Sequence, residues 1–314
     1  MPNHINMHTS HGIMFHHFHS SNIPKSQGSI SKKSLEKIID YLVKNFNLLD
    51  AEKFNKKAIN KSLNDKDVCL TFDDALLSQY NVALPVLETK GIQAYFFIYT
   101  SIFSDKPEYL EVFTYFRNNF YINIEEFYDH FFTLFKNKNT KLFEEASKFV
   151  RVSSYLSNFE FYSFNDRLFR YIRDNILKKI AYEKLMKKLM LEKNTDLKKI
   201  IPLLWLSKKQ LIDLNDKNHI IGLHSHNHPT MIHKYSYLEQ EYEYNTNYRC
   251  LSKILSYEPI SVSHPCGNYN QITLDILKNK GINVGFRSNM DKIKNYTMLE
   301  IPREDHSNLI KEIK

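Results

Sequence analysis

The strongest constraint on the fold is an order repeated along the chain, a short apolar run followed by a segment with helical spacing of apolar residues. Val68–Phe72, Ile92–Tyr99, His219–Leu223, Ile260–Ser263 and Ile282–Phe286 read as strands, with Ile13–Phe15 as a shorter one. Behind Ser31, Leu35, Ile38, Ile39 and Leu42 recur at helical spacing. Leu76–Lys90 reads as a helix that stops at Gly91, the residue type suited to a left-handed C-terminal cap. Ser207 is an expected N-cap for Lys208–Leu214, and Leu238–Leu255 and Thr273–Lys280 are further helices. Alternating strands and helices predict a parallel sheet, doubly wound or closed as a barrel, with its chemistry at the C-terminal strand ends. The polar residues His16, His17, Asp73, Asp74, His224, His228 and His264 fall at those ends.

A gap in the chain's punctuation divides it. No Gly falls between Gly91 and Gly222, and no Pro between Glu108 and Ile201. The intervening Ser104–Leu204, rich in Phe, Leu, Lys and Glu, reads as a helical insertion between a first barrel part (1–103) and a second (205–314). Within it, Ile172, Ile176, Ile180, Leu185 and Leu189 suggest a core-facing stripe. With 314 residues, 42% of them hydrophobic, the chain can bury a substantial core. Its net charge of +8 is spread among acidic residues without a recognition-helix or zinc-finger pattern, which reads as solvated surface rather than a nucleic-acid footprint. Cys69, Cys250 and Cys266 are odd in number and lack CxxC spacing, against a disulfide framework or a thiolate zinc site. The His-rich Met1–Phe18 lacks the basic-then-apolar layout of a leader, and no apolar run approaches the ~18 residues of a membrane span. The expectation is a cytoplasmic protein without a span; oligomeric state is not legible.

The chemistry concentrates in two segments. Val68–Phe72 runs into Asp73 and Asp74, adjacent carboxylates that repel unless a cation or proton lies between them. The same pair also suits a helix N-cap ahead of Ala75 and Leu76. His224, His226 and His228 then place three imidazoles in five residues, hard to explain by packing. Two imidazoles four apart can converge on one ion, and neutral imidazole suits zinc. Asp74 with two of these histidines would make a three-ligand site with open positions, so a divalent transition metal, zinc first, is the expected cofactor. Zinc held in that way lowers the pKa of its water to about 7 and polarises a carbonyl.

These residues carry a resemblance. Thr71-Phe72-Asp73-Asp74 resembles the first motif of the polysaccharide deacetylases with a NodB-homology domain, carbohydrate esterase family four. His224-Ser225-His226-Asn227-His228-Pro229 resembles their second motif, His-Ser/Thr-x-x-His. Ser263-His264-Pro265-Cys266-Gly267-Asn268-Tyr269 resembles the third, with Cys266 in the Tyr place of its Pro-Tyr-Gly core. His16 is similar to a strand-end His found early in many members.

The resemblance implies a distorted (β/α) barrel of the NodB type and a set of roles. Asp73 would be the general base, with Asp74, His224 and His228 the metal ligands and His226 a supporting or surface residue. The backbone N–H of Cys266 would donate to the oxyanion. Ser263 stands where many members carry an Arg that orients the base. Arg303, in a late Arg-x-Asp element with Asp305, would supply that charge instead. For the general acid His306, His264 and His16 compete, with His306 preferred. The implied reaction removes an acetyl group, N-acetyl before O-acetyl, from an amino-sugar-containing saccharide in glycan biosynthesis. The alternative is a glycan-binding module that keeps the barrel without turnover.

Overall fold

The computed structural model describes residues 9–26, 28–104, 107–157, 162–294 and 296–313. Residues 1–8, the start of the His-rich N-terminal stretch, lie outside the described residues, and with them the expectation about a leader. The chain forms two compact units. One holds the N-terminal residues to Lys25, Ser29–Glu108 and Trp205–Lys314; the other holds Tyr109–Leu204 with Ser26–Gly28.

The first unit is built on seven parallel strands: β1 His11–Phe15, β2 Asp67–Phe72, β3 Tyr95–Ile98, β4 Ile220–Leu223, β5 Ser261–Ser263, β6 Val284–Phe286 and β7 Arg303–Asp305. Their spatial order is β7-β1-β2-β3-β4-β5-β6, and the short strand Asn47–Leu48 adds to the start of β2. A parallel bridge from Phe286 to Ile301, whose N–H donates to the Gly285 carbonyl (2.8 Å), links β6 to the segment entering β7 and nearly closes the barrel. Two glycines permit this tight wall: a Cβ on Gly222 would stand 2.6 Å from the Phe97 ring, and one on Gly12 3.1 Å from both the Arg303 and Thr71 side chains.

Register decides what reaches the rim. Phe15 lies opposite Phe72, Phe72 opposite Phe96, Ile98 opposite Leu223 and Ser263 opposite Phe286. The residues that follow, His16, Asp73, His224 and His264, therefore emerge at one end of the barrel. Alternate side chains on β1, β2 and β3 pack outward, where the rings of Phe15, Phe72 and Phe96 stack with centroids 5.2 and 4.8 Å apart. Leu35, Ile38, Ile39 and Leu42 of the helix Lys32–Asn45 are fully buried in the same core, and Ser31 caps that helix by accepting the Ser34 N–H at 3.2 Å. The segment read as one helix from Leu76 begins instead as a π-helical turn, Gln79–Ala83, before the α-helix Leu84–Lys90. Pro85 cannot donate an intrahelical N–H bond, and the wider turn accommodates that loss. Gly91 ends the helix at φ 66°.

The second unit contains the helices Leu110–Asn119, Ile124–Val152, Phe164–Tyr171 and Lys179–Glu192 around buried Phe113, Phe116, Phe127, Phe131 and Phe169. The expected apolar stripe here is broken: Ile172 and Leu189 are fully buried, but Ile180 is 83% exposed. A π-helical turn at Ile172–Ile176 is followed by extended backbone at Leu177 (ψ 135°), so the next helix starts in a new phase. Among the described residues no helix is long and apolar enough to cross a membrane.

Candidate active site

Three rim loops build the site. After β2 the backbone turns left-handed at Asp74 (φ 76°) and Ala75 (φ 55°), which brings two consecutive carboxylates to one place where an extended chain would splay them. After β4, Ser225 (φ 60°) and His228 (φ 48°) make a second such bend, and Cys266 (φ 54°) makes a third after β5. Strain of this kind costs roughly 1–3 kcal/mol per residue and persists where surrounding structure over-determines it. In the second loop the Ser225 hydroxyl accepts the His228 N–H at 3.1 Å.

These bends converge Asp74, His224 and His228, whose ligand atoms all lie within 4.8 Å of one another. Nε2 of His224 and Nε2 of His228 each stand 3.3 Å from Asp74 Oδ1. His224 Nδ1 lies 2.7 Å from the Ser263 carbonyl, an acceptor only, so Nδ1 carries the proton and Nε2 turns a lone pair toward Asp74. Asp74 Oδ1 is buried and has no hydrogen bond of normal geometry. Lone pairs facing a carboxylate oxygen repel unless a cation stands among them, so the donor set fits a divalent metal of the zinc type. Burial pushes the Asp74 carboxyl up. Without an ion, protons on His228, His224 and His16 would take the cation's place, and their charges outweigh that burial and hold the carboxyl well below its ordinary range.

Asp73 sits beside this set, buried and fully engaged. Arg303, itself 1% exposed, grips it with both terminal nitrogens, at 2.8 Å to Oδ1 and 2.7 Å to Oδ2. The Ser263 hydroxyl donates to Asp73 Oδ2 at 3.0 Å and accepts from Arg303 at 2.8 Å, so Ser263 and Arg303 act together on the carboxylate. Arg303 also donates to the Arg287 carbonyl (2.8 Å) and the Thr71 hydroxyl (3.2 Å), which accounts for all five of its N–H donors. Burial raises the Asp73 carboxyl, yet the Arg303 and His224 charges more than compensate and keep it below the ordinary carboxylate range. It is ionised at neutral pH.

The remaining histidines sort by geometry. His16 Nε2 stands 3.9 Å from both Asp73 Oδ2 and Asp74 Oδ2, and its side chain is 30% exposed. His306 is buried, stacks on Phe15 (5.4 Å) and turns Nδ1 to the Met14 carbonyl (3.1 Å). His264 stacks on Tyr269 (4.3 Å) with Nε2 on the Leu299 carbonyl (2.8 Å). His226 turns away from the ligand set to the Thr100 hydroxyl (2.9 Å). Cys266 presents an exposed thiol, and Gly267 (φ 65°) follows it where a Cβ would meet Ser288 Oγ at 2.1 Å.

Three supporting residues escaped the sequence reading. Asn247 accepts the His224 N–H (3.0 Å) and donates to the Ile98 carbonyl (2.9 Å), tying β3 to β4. Glu243 accepts the N–H groups of His226 (3.0 Å) and Asn227 (2.7 Å). Gln79 donates to the His16 (3.0 Å) and Asp73 (2.5 Å) carbonyls. A signal for the first two exists: Gln240, Glu243, Tyr244, Asn247 and Leu251 form the buried stripe of one helix, and polar residues there ask for partners.

The sequence profile described as polysaccharide deacetylase matches residues 60–115 and 181–285, just over half of the chain. The chain belongs to the polysaccharide deacetylase family. No curated protein sequence matches it. Among solved structures this family member is similar in fold to the Streptococcus pyogenes deacetylase PplD in complex with acetate, at 16% identity and a TM-score of 0.55 over 96% of this chain and 97% of that one. It is likewise similar to IcaB from Ammonifex degensii, at 14% identity and a TM-score of 0.56 over 97% of each chain. A third is a de-N-acetylase from Aggregatibacter actinomycetemcomitans, at 14% identity and a TM-score of 0.56 over 97% of this chain and 99% of that one. At these identities the likeness concerns the nearly closed NodB-type barrel.

Proposed function

We propose that this polysaccharide deacetylase is a metal-dependent amidase that hydrolyses the N-acetyl group of an amino sugar within a saccharide. The observation that carries the reading is the convergence of Asp74, His224 and His228 beside an Asp73 held ionised by Arg303. Asp74, His224 and His228 would hold a divalent ion, zinc first, which when bound supplies Lewis-acid polarisation of the acetyl carbonyl and acidifies water.

The chain's own groups then divide the work. Asp73 accepts the proton of the attacking water as the new C–O bond forms, while Arg303 and Ser263 fix the carboxylate's orientation. The backbone N–H of Cys266 is assigned to the oxyanion, and the tight turn through Gly267 sets its direction. When the C–N bond breaks, the proton goes to the departing sugar amine and acetate is left. His16 is the donor the geometry favours over His306, being 3.9 Å from both carboxylates and partly open to solvent. Tyr99, buried between His228 (5.5 Å) and Trp205 (6.2 Å), backs the His228 ring and fixes its orientation.

Acetate release from N-acetylated amino-sugar oligomers tests this. Chelation should abolish release and zinc should restore it. Asp73→Asn should retain the metal but lose about 10²–10⁴-fold in rate, the range of general-base catalysis. Release only from O-acetylated sugars by the metal-restored protein would replace the amide reading with an ester one.

A further inference from the structure

The helical unit carries a second polar cluster that the deacetylase chemistry does not use. Arg117, on the helix Leu110–Asn119, is only 6% exposed, and Arg170 lies near the end of the helix Phe164–Tyr171. Each guanidinium lies over an aromatic ring, Arg117 5.4 Å from the centroid of Phe169 and Arg170 4.0 Å from that of Tyr162. The Nε of each is buried and has no hydrogen-bond partner. Among the described residues no carboxylate stands at ion-pair distance from either.

The acid of this neighbourhood is already committed. Asp166 accepts from the Tyr128 hydroxyl and, at 3.1 Å, from the Ser163 N–H of its capping box. Arg173 is likewise spent in a two-pronged pair with Asp174, at 2.7 Å for each contact. Burial holds the Arg170 guanidinium below its ordinary value; Tyr162 opposes this, while the charges of Arg117 and Arg173 add to it. Two neighbouring cations, Arg117 buried and Arg170 partly buried, repel each other at a cost unless an anion joins them. A ring beneath a guanidinium covers its face and leaves the N–H edge free, the edge that matches a tetrahedral oxyanion.

We propose that Arg117 and Arg170 form an anion-binding site for a phosphate-type oxyanion, with Phe169 and Tyr162 as the rings beneath the two guanidinium groups. The ligand is either inorganic phosphate or the phosphoryl group of a larger molecule such as a phosphorylated sugar.

Thermal unfolding of the full chain at matched ionic strength provides the test, with inorganic phosphate, a hexose phosphate and chloride as the probes. The expected result is a saturable rise in Tm with phosphate and none with chloride. The rise should disappear in Arg117→Gln and in Arg170→Gln, and Arg117→Lys should weaken it at least several-fold by removing the fork. A lower half-saturating concentration for the hexose phosphate would identify a phosphorylated molecule as the ligand, and the reverse would identify the free ion. Should the Gln variants fail to fold, isothermal titration of the unaltered protein with phosphate decides, with no saturable heat overturning the proposal. A phosphate response unchanged in the Gln variants would overturn it too, placing the anion elsewhere on this basic chain. So would the absence of any saturable response in the unaltered protein.

Discussion

Arginine is buried in both units, and the two environments are opposites. Arg303 in the barrel spends all five donors on Asp73, Ser263, Thr71 and a backbone carbonyl. Arg117 and Arg170 in the helical unit keep Nε without a partner and rest on rings. A guanidinium satisfied by its own protein is a positioning device, because its geometry is complete before any ligand arrives. An unsatisfied one is a demand on something outside the chain. The same residue type thus marks the proposed reaction centre in one unit and the proposed anion site in the other.

The largest effect should come from breaking the satisfied arginine. Arg303→Ala leaves Asp73 buried without its counter-charge, and urea unfolding should show a loss of about 3–5 kcal/mol. Deacetylation by the fraction still folded should fall as well, with a higher apparent pKa on the acid limb of its pH profile. Burial, the first influence on Asp73, would no longer be opposed by Arg303. An Arg303→Ala protein as stable as the parent would refute the contrast.

A buried group held neutral gives an intermediate effect. His219 Nδ1 accepts the Ala94 N–H (3.0 Å), so that nitrogen must keep its lone pair, and its ring packs edge-on against Phe96 (5.1 Å). Burial lowers its pKa from 6.5 to about 4. The unfolded chain therefore takes up a proton that the folded one refuses, so stability falls as pH drops from 6.5 and levels off below about 4. The loss approaches about 3 kcal/mol over that window. His264, also lowered to about 4 by burial, adds a similar contribution. Denaturant melts at pH 7 and pH 5 measure it, and His219→Gln should reduce the difference. An equal difference in that variant would exclude His219 as the cause.

The smallest effect should have the opposite sign. Arg117→Met removes an unpaired buried charge, keeps the packing on Phe169, and in phosphate-free buffer should be neutral or stabilising by about 1 kcal/mol. A loss as large as that of Arg303→Ala would mean that Arg117 already has a partner, and the comparison between the units would collapse.

Much of the site was visible in one dimension because its chemistry is local. Asp73 with Asp74 and His224 with His228 are short-range patterns, and each follows an apolar run that reads as a strand. Arg303 could be connected with Asp73 only through a resemblance, since 230 residues separate them. The choice among His16, His264 and His306 was out of reach, because all three flank strands and differ only in what their rings meet. Asn247 and Glu243 were overlooked because helical periodicity counts apolar residues and passes over polar ones that share their face. The stripe through Ile180 failed because extended backbone at Leu177 resets the helical phase.

The sequence by itself determined the alternation of strands and helices, the helix stops, and the acidic and imidazole groups placed at strand ends. These depend on periodicity and residue type over a few neighbours. The tertiary structure alone decided that β7 lies beside β1, so that Arg303 reaches Asp73 through the barrel interior, and that His16 rather than His306 faces the carboxylates. It also placed Arg117 near Arg170, with no carboxylate among the described residues at ion-pair distance from either. Strand register and the closure of the barrel set distances between residues far apart in the chain, and those distances control the charges at the site.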